Sequence, residues 1–269
     1  MPQVIISPAK QMRIDADAHA ARGISPHPKQ TARLIHALKQ MLREQGPQAL
    51  QQLWRVSDAL LAENLERLDA LEPLLDAAQL GDPVCARRVG PALFSYVGAQ
   101  YRSMAPNVLD ERALAWLQEH LWILSGLYGC VRPFDAVAPY RLEMGAKLAV
   151  DGGRNLYEFW GSALAQSLEA AGEEIVNLAS VEYARAVLPH LDPHTRVTTC
   201  IFGEELRAGK PVQRAGASKV ARGSMVRWLA ERACADARNL VAFDVGYVFA
   251  PELSDEAEDG ARTLVFMRR

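Results

Sequence analysis

A chain of 269 residues, 49% hydrophobic and 23% charged, has ordinary globular composition and enough length for a large core, as one domain or two. A formal charge of -2 and a pI near 6.3 exclude a globally basic nucleic-acid binder, so any affinity for phosphate has to come from a local cluster of arginine and lysine. The four cysteines are scattered with no C-x-x-C pair, which argues against a disulfide framework and for reduced thiols in a cytoplasm.

Val4, Ile5 and Ile6 form an apolar β-branched run closed by Ser7 and Pro8, which predicts a buried strand feeding a tight turn. The opening MPQVIISPAK has no charged region followed by a long apolar stretch and does not read as a signal peptide. No run approaches the roughly 18 apolar residues of a membrane span, so no membrane partner is expected. Lys10 falls just past the strand end, where ligand groups are often placed. Residues 12–28 read as a polar surface loop. Leu34, Ile35, Leu38, Met41 and Leu42 then recur at helical spacing, and Gly46-Pro47 stops the run. A further turn or two covers 49–54, and Ser57 caps a helix carrying Leu60, Leu61, Leu65 and Leu68 that ends before Pro73. The N-terminal third is helical.

Residues 93–97 predict a strand broken by Gly98, with Tyr101 and Arg102 on a turn or short helix. Asn107 or Asp110 caps a helix through Leu114, Leu117 and Leu121, and 122–124 fit either a helix end or a buried strand. Residues 124–145, LSGLYGCVRPFDAVAPYRLEMG, are too broken by glycine and proline for one long element. Such a run is either functional or a connection whose charges pair internally. Further on come a strand at 147–150 and a helix capped by Asn155 with a stripe of Leu156, Phe159, Trp160, Ala163 and Leu164. A strand at 174–178, a helix opened by Ser180 and running to Leu188, and a strand at 195–202 with a hairpin partner at 211–214 follow. Ser218 caps a helix through Arg232, and 240–243, 247–249 and 263–267 read as strands. The acidic run 254–259 is simplest as a solvated loop. No Pro/Gly/Ser-rich linker divides the chain, which predicts one α+β domain over 1–269 with a mixed sheet surrounded by helices.

Polar residues gather at the element ends: Lys10; Arg132, Tyr140, Arg141 and Glu143; Asn177, Ser180, Glu182 and Tyr183; Lys219 and Arg222. If those ends face one side, they form a cleft with excess positive charge suited to phosphate or carboxylate. Glu143 or Glu182 serves there as acid or base if burial raises its pKa. Internal ion pairing is the competing reading for each. HLDPH spaces His190 and His194 four apart, but Pro189 and Pro193 break any helix, so neither a metal site nor a cofactor is expected. The G-x-G-x-x-G, G-x-x-x-x-G-K-[ST] and G-x-S-x-G motifs are absent.

ISPAK (6–10), SGLYGCVRPFDAVAPYRLEMG (125–145), LYEFWG (156–161), NLASVEY (177–183), ARGSM (221–225) and GYVF (246–249) stand in the order of the peroxide stress protein YaaA family, which the chain resembles over nearly its whole length. The resemblance implies a compact single domain unlike the common superfolds, in a cytoplasmic bacterial protein of the oxidative-stress response that limits damage by peroxide and free iron. It implies DNA binding through a positively charged cleft and a helix-hairpin-helix-like element, best matched by LSGLYG (124–129). Ser125, Gly126 and Gly129 would there offer backbone N–H groups to DNA phosphates without reading sequence. Lys10, Arg132, Arg141, Asn177, Ser180, Lys219 and Arg222 would complete the surface. The chain departs from the family pattern at Ala99, Ser162 and Val181, where acidic residues or asparagine are usual, and at Val220, where a lysine is usual.

Two readings follow. One is a DNA-binding protective protein without catalysis, whose affinity falls steeply with salt. The other is an enzyme, or diverged former enzyme, acting on a small anionic or nucleotide-like ligand, with Glu143, Glu182 or Tyr140 as catalytic candidates. The second requires Lys10, Arg132, Arg141, Lys219 and Arg222 to converge on a closed pocket of about 300–1,000 Å³, whereas DNA requires an open groove.

Overall fold

The computed structural model describes residues 2–15, 19–172, 174–256 and 261–269. Among them, β1 (Gln3–Ile6), β2 (Leu121–Ser125), β3 (Gly129–Val131), β4 (Glu174–Leu178), β5 (Arg196–Gly203), β6 (Tyr247–Phe249), β7 (Asp255–Glu256) and β8 (Arg262–Arg268) form one mixed sheet. Its order is β6-β8-β5-β4-β1-β2-β3, with β7 paired to β8. β2, β1, β4, β5 and β8 are mutually parallel neighbours, while β3, β6 and β7 are antiparallel additions. β1, β2 and β4 are buried along their whole length, which is why QVII, LWILS and EIVNL read as near-continuous apolar runs rather than alternating ones. The sheet carries the mixed α and β architecture that the sequence predicts.

The strand order matters for function. From β1 the chain places β2 on one side, then returns to place β4, β5 and β8 on the other. The carboxyl ends of β1 and β4 therefore diverge at a topological switch point, where the loops part and leave a crevice.

The helices include α1 (Pro28–Gln45), α2 (Pro47–Trp54), α3 (Asp58–Ala70), α4 (Ala99–Met104), α5 (Glu111–His120), α6 (Leu156–Trp160), α7 (Ala163–Glu169), α8 (Val181–Ala184) and α9 (Ala215–Glu231), besides other short helical turns. The first three make the helical N-terminal third, and Pro28 and Pro47 occupy first-turn positions where a missing N–H costs nothing. Leu34, Leu38 and Leu50 from these helices join Val4 and Phe266 in one contiguous core cluster. α9 lies unusually close to α4. A Cβ on Gly223 would run into the Gln100 carbonyl oxygen and the Ser103 hydroxyl, and Ser103 Oγ donates to the Val220 carbonyl at 2.8 Å.

Several expected elements differ. Residues 92–95 form a helical turn, closed by Ser95 Oγ donating to the Pro91 carbonyl at 2.9 Å, so only Tyr96–Val97 pair, with Gln11–Met12. At 147–150 only Val150 bridges, to Gly153. Ala237–Ala242 is a 3-10 turn capped by Asp236 rather than a strand. Gly161, at φ 47°, divides the helix capped by Asn155 into α6 and α7. The helix opened by Ser180 ends at Ala184, and α9 begins at Ala215, so Ser218 lies inside it. The hairpin partner of Glu205–Arg207 is Lys210–Val212. Of the acidic run 254–259, Asp255 and Glu256 pair as β7, and 257–259 lie outside the described residues, as do 16–18 of the expected 12–28 loop.

Candidate functional site

The switch point is closed by a reciprocal contact. Ser7, just past β1, donates its hydroxyl to Ser180 Oγ at 3.1 Å and accepts the Ser180 backbone N–H at 2.8 Å, just past β4. Tyr101 of α4 donates its hydroxyl to the Ser7 carbonyl at 3.0 Å. Above this floor the segments after β1 and β4, the start of α4, α9 and residues 140–143 surround a cavity of about 460 Å³. Its polar lining includes Lys10, Tyr140, Arg141, Glu143, Glu182, Lys219 and Arg222, and its apolar lining Pro8, Ala9, Val97, Ala99 and Leu142. That volume and mixture are typical of small-molecule sites.

The charges in the cavity are unevenly matched. Glu143 accepts from Lys10 Nζ at 2.9 Å and from Arg141 at 2.7 Å, so one carboxylate serves two cations. Arg141 is 12% exposed in its side chain, and its Nε is buried without a hydrogen-bond partner. Glu182 Oε1 accepts the Gly145 backbone N–H at 2.8 Å. Among the described residues no carboxylate pairs with Lys219 or Arg222, and Arg222 Nε is also buried without a partner. Burial pushes the Arg222 pKa below its ordinary value, and the nearby Cys200 only partly offsets this.

Burial raises the hydroxyl pKa of Tyr101, Tyr140 and Tyr183, which keeps these wall groups neutral. Tyr140 has a fixed role. Ser125 Oγ accepts from the Leu127 and Tyr128 amides at 3.2 and 2.9 Å, which uses both its lone pairs. Its proton therefore goes to Tyr140 Oη at 2.7 Å, and Tyr140 donates onward to Tyr96 Oη at 3.0 Å. With its proton committed and its pKa raised, Tyr140 orients the wall and is a poor base.

Of the sequence candidates, Lys10, Tyr140, Arg141, Glu143, Ser180, Glu182, Lys219 and Arg222 line the one cavity. Ser125, Gly126, Gly129, Arg132 and Asn177 do not. LSGLYG is the end of β2, a tight turn and the start of β3, buried throughout. It is therefore a β-hairpin and not a helix-hairpin-helix-like element: the Leu127 and Tyr128 amides are taken by Ser125 Oγ. A Cβ on Gly126 would sit 2.5 Å from the Leu142 carbonyl oxygen, and Gly129, at φ 74°, is packed against Trp160 and Leu164. The glycines serve close packing and a left-handed turn, not solvent-facing backbone. Arg132 lies 3.7 Å over the Trp122 ring and donates to the Glu119 and Leu121 carbonyls at 2.9 and 3.4 Å, which makes it structural. Asn177 Oδ1 accepts the Ala179 N–H at 3.0 Å and its Nδ2 donates to Thr199 Oγ1 at 3.3 Å, turning the chain out of β4.

Sequence reasoning did not select Ser7, Tyr101 or Gly223. Ser7 sits before Pro8 at a strand end, which is a usable signal once the strand is known to be central. Of the family departures, Ala99 lines the cavity, while Val181, 85% exposed, and Val220, 45% exposed, adjoin its lining residues. Ser162 is exposed at the start of α7. Among the described residues no group of three or more His, Cys, Asp and Glu side chains could hold a metal, and no helix is long and apolar enough to cross a membrane.

The model of the family described as peroxide stress protein YaaA matches residues 3–253. A UPF0246 protein of Limosilactobacillus fermentum is 43% identical over 258 residues, covering 95% of this chain and 97% of that protein. One of Pediococcus pentosaceus is 42% identical over 253 residues, 94% of each chain. One of Lachnoclostridium phytofermentans is 35% identical over 267 residues, covering 99% of this chain and 96% of that protein.

Proposed function

We propose that this chain, which belongs to the peroxide stress protein YaaA family, acts in the cytoplasm as one domain and binds a small anionic ligand in the cavity at the β1/β4 switch point. The observation that carries this reading is convergence: Lys10, Arg141 and the α9 pair Lys219 and Arg222 reach one cavity of about 460 Å³ from three separate segments. Cations that track a DNA backbone are spread along a groove. The hairpin that would have offered amides to DNA is buried and internally bonded, which removes the main sequence argument for that mode.

Within the site, Arg141 and Lys10 are held by Glu143, so they form a prearranged wall rather than free charge. Lys219 and Arg222 are the cations left for a ligand. Glu182 is the group placed to accept a proton or a ligand hydroxyl, because only one of its oxygens is engaged, by Gly145.

The test is extraction. The chain is purified at low salt, denatured, and the released small molecules are identified by mass spectrometry alongside a Lys219→Met/Arg222→Met variant. The expected result is an anionic compound in near one-to-one yield that is depleted from the variant. Equal release from both, with duplex DNA retained by both and shed steeply with salt, would replace this reading with the DNA one.

A further inference from the structure

Lys219 and Arg222 lie three apart on α9, so their side chains are neighbours on one face of the helix. Two like charges so placed repel, and neither has a carboxylate partner among the described residues. The backbone of α9 cannot drift to relieve them, because Gly223 presses it onto Gln100 and Ser103 holds the Val220 carbonyl. Both side chains line the cavity, Arg222 half-buried and Lys219 exposed.

The donors around that pair are as informative as the charge. Ser180 Oγ accepts from Ser7, so its own proton is free to be given. Lys219 and Arg222 are donors only. Arg222 Nε is itself buried without a hydrogen-bond partner. This part of the cavity thus presents two positive charges and an excess of donors. Pro8, Ala9, Val97, Ala99 and Leu142 supply an uncharged lining. Acceptors in the lining include the second oxygen of Glu182, whose first oxygen takes the Gly145 N–H, and the second oxygen of Glu143, whose first oxygen takes both Lys10 and Arg141.

Resting on the anion-binding reading above, we infer that the ligand is a phosphate monoester, with its phosphoryl group between Lys219 and Arg222. A monoester dianion matches two unpaired cations in charge, and its three terminal oxygens absorb donors arriving from several directions. A carboxylate brings one charge and two oxygens in a plane and leaves one cation uncompensated. A phosphodiester likewise brings one charge and only two unesterified oxygens, and leaves one cation uncompensated. The esterified body lies against the apolar lining, and a hydroxyl on it donates to Glu182. The class is a phosphorylated compound bearing hydroxyl groups, of sugar phosphate or nucleoside monophosphate type.

The experiment is titration calorimetry of the whole chain with ribose 5-phosphate, adenosine 5′-monophosphate, ribose, adenosine and malonate at fixed ionic strength. It is repeated with Lys219→Met and Arg222→Met variants whose folding is checked by thermal melting. The expected result is one-to-one binding of at least one ester, at least tenfold tighter than its unphosphorylated counterpart and than malonate, and weakened at least tenfold by either variant. The two esters distinguish a sugar from a nucleoside body. Malonate binding as tightly as both esters, with the same loss in Arg222→Met, would overturn the phosphate assignment while leaving the anion cavity standing. No binding by any of the anions, in a folded wild-type chain, would overturn both.

Discussion

The Ser7 hydroxyl gives its proton to Ser180 and takes the Ser180 backbone N–H in return, so one side chain ties the ends of β1 and β4 across the strand-order reversal. A parallel sheet with a switch point tends to splay there, since the two loops leave in opposite senses. The clamp fixes the floor on which the cavity is built. Ser7→Ala removes both contacts and leaves the Ser180 N–H without its acceptor. The expected cost is about 1–3 kcal/mol of unfolding free energy, together with weaker ligand binding, measured by urea denaturation and calorimetry.

Gly223 sets the distance between α9 and α4. Gly223→Ala places a methyl group against the Gln100 carbonyl and Ser103, neither of which is a flexible side-chain tip able to swing clear without breaking a bond. Overpacking of this kind costs about 1–3 kcal/mol. Because Lys219 and Arg222 ride on the displaced helix, ligand affinity should fall even though neither residue is changed. Melting curves and binding isotherms read the two effects separately.

Arg222 is expected to give opposite signs for stability and binding. Its guanidinium is largely buried, unpaired, and depressed in pKa by that burial. Arg222→Met keeps the stem and removes the uncompensated charge, so the unliganded chain should gain about 1 kcal/mol. The same variant should lose its ligand. A stabilised, non-binding protein is the signature of a functional charge, whereas a structural arginine would show loss of stability.

Asp135 gives a pH dependence unconnected with the cavity. It is buried, and desolvation lifts its pKa from 3.8 to about 6, although the Arg132 backbone N–H at 2.8 Å works the other way. A carboxyl whose folded pKa lies above its unfolded value adds stability that is present below about pH 4 and lost as pH rises through about 6. The difference corresponds to about 3 kcal/mol. Asp135→Asn keeps an acceptor for the Arg132 N–H and removes the titration. Relative to wild type, the variant should gain stability between pH 4 and pH 7, as read from urea unfolding at both values.

The main helices and central strands were legible in the sequence because their signals are local. QVII and EIVNL can be little else than buried strands, and the Leu34–Leu38 spacing with Gly46-Pro47 behind it sets α1. Most of the cavity residues were legible too, since Lys10, Ser180 and Arg222 follow element boundaries or sit in a polar run. What was not legible is direction. Arg132 and Arg141 stand in the same irregular stretch, yet Arg132 turns onto Trp122 while Arg141 turns into the cavity. The side that each faces depends on β2 and β3 pairing as a hairpin, which the glycines of LSGLYG permit without specifying. The switch point was invisible for a similar reason: strand order is a property of long-range pairing, not of any one segment.

The most direct measurement of the central claim is the melting temperature in phosphate against chloride at equal ionic strength, for wild type and for Lys219→Met/Arg222→Met. Phosphate at about fifty times its dissociation constant adds roughly 2.3 kcal/mol to a chain that binds it folded, which moves the midpoint by roughly 4 °C at this chain length. The rise is expected in the wild type and is expected to be absent in the double variant. An equal response in both, or none in the wild type, would contradict the central claim.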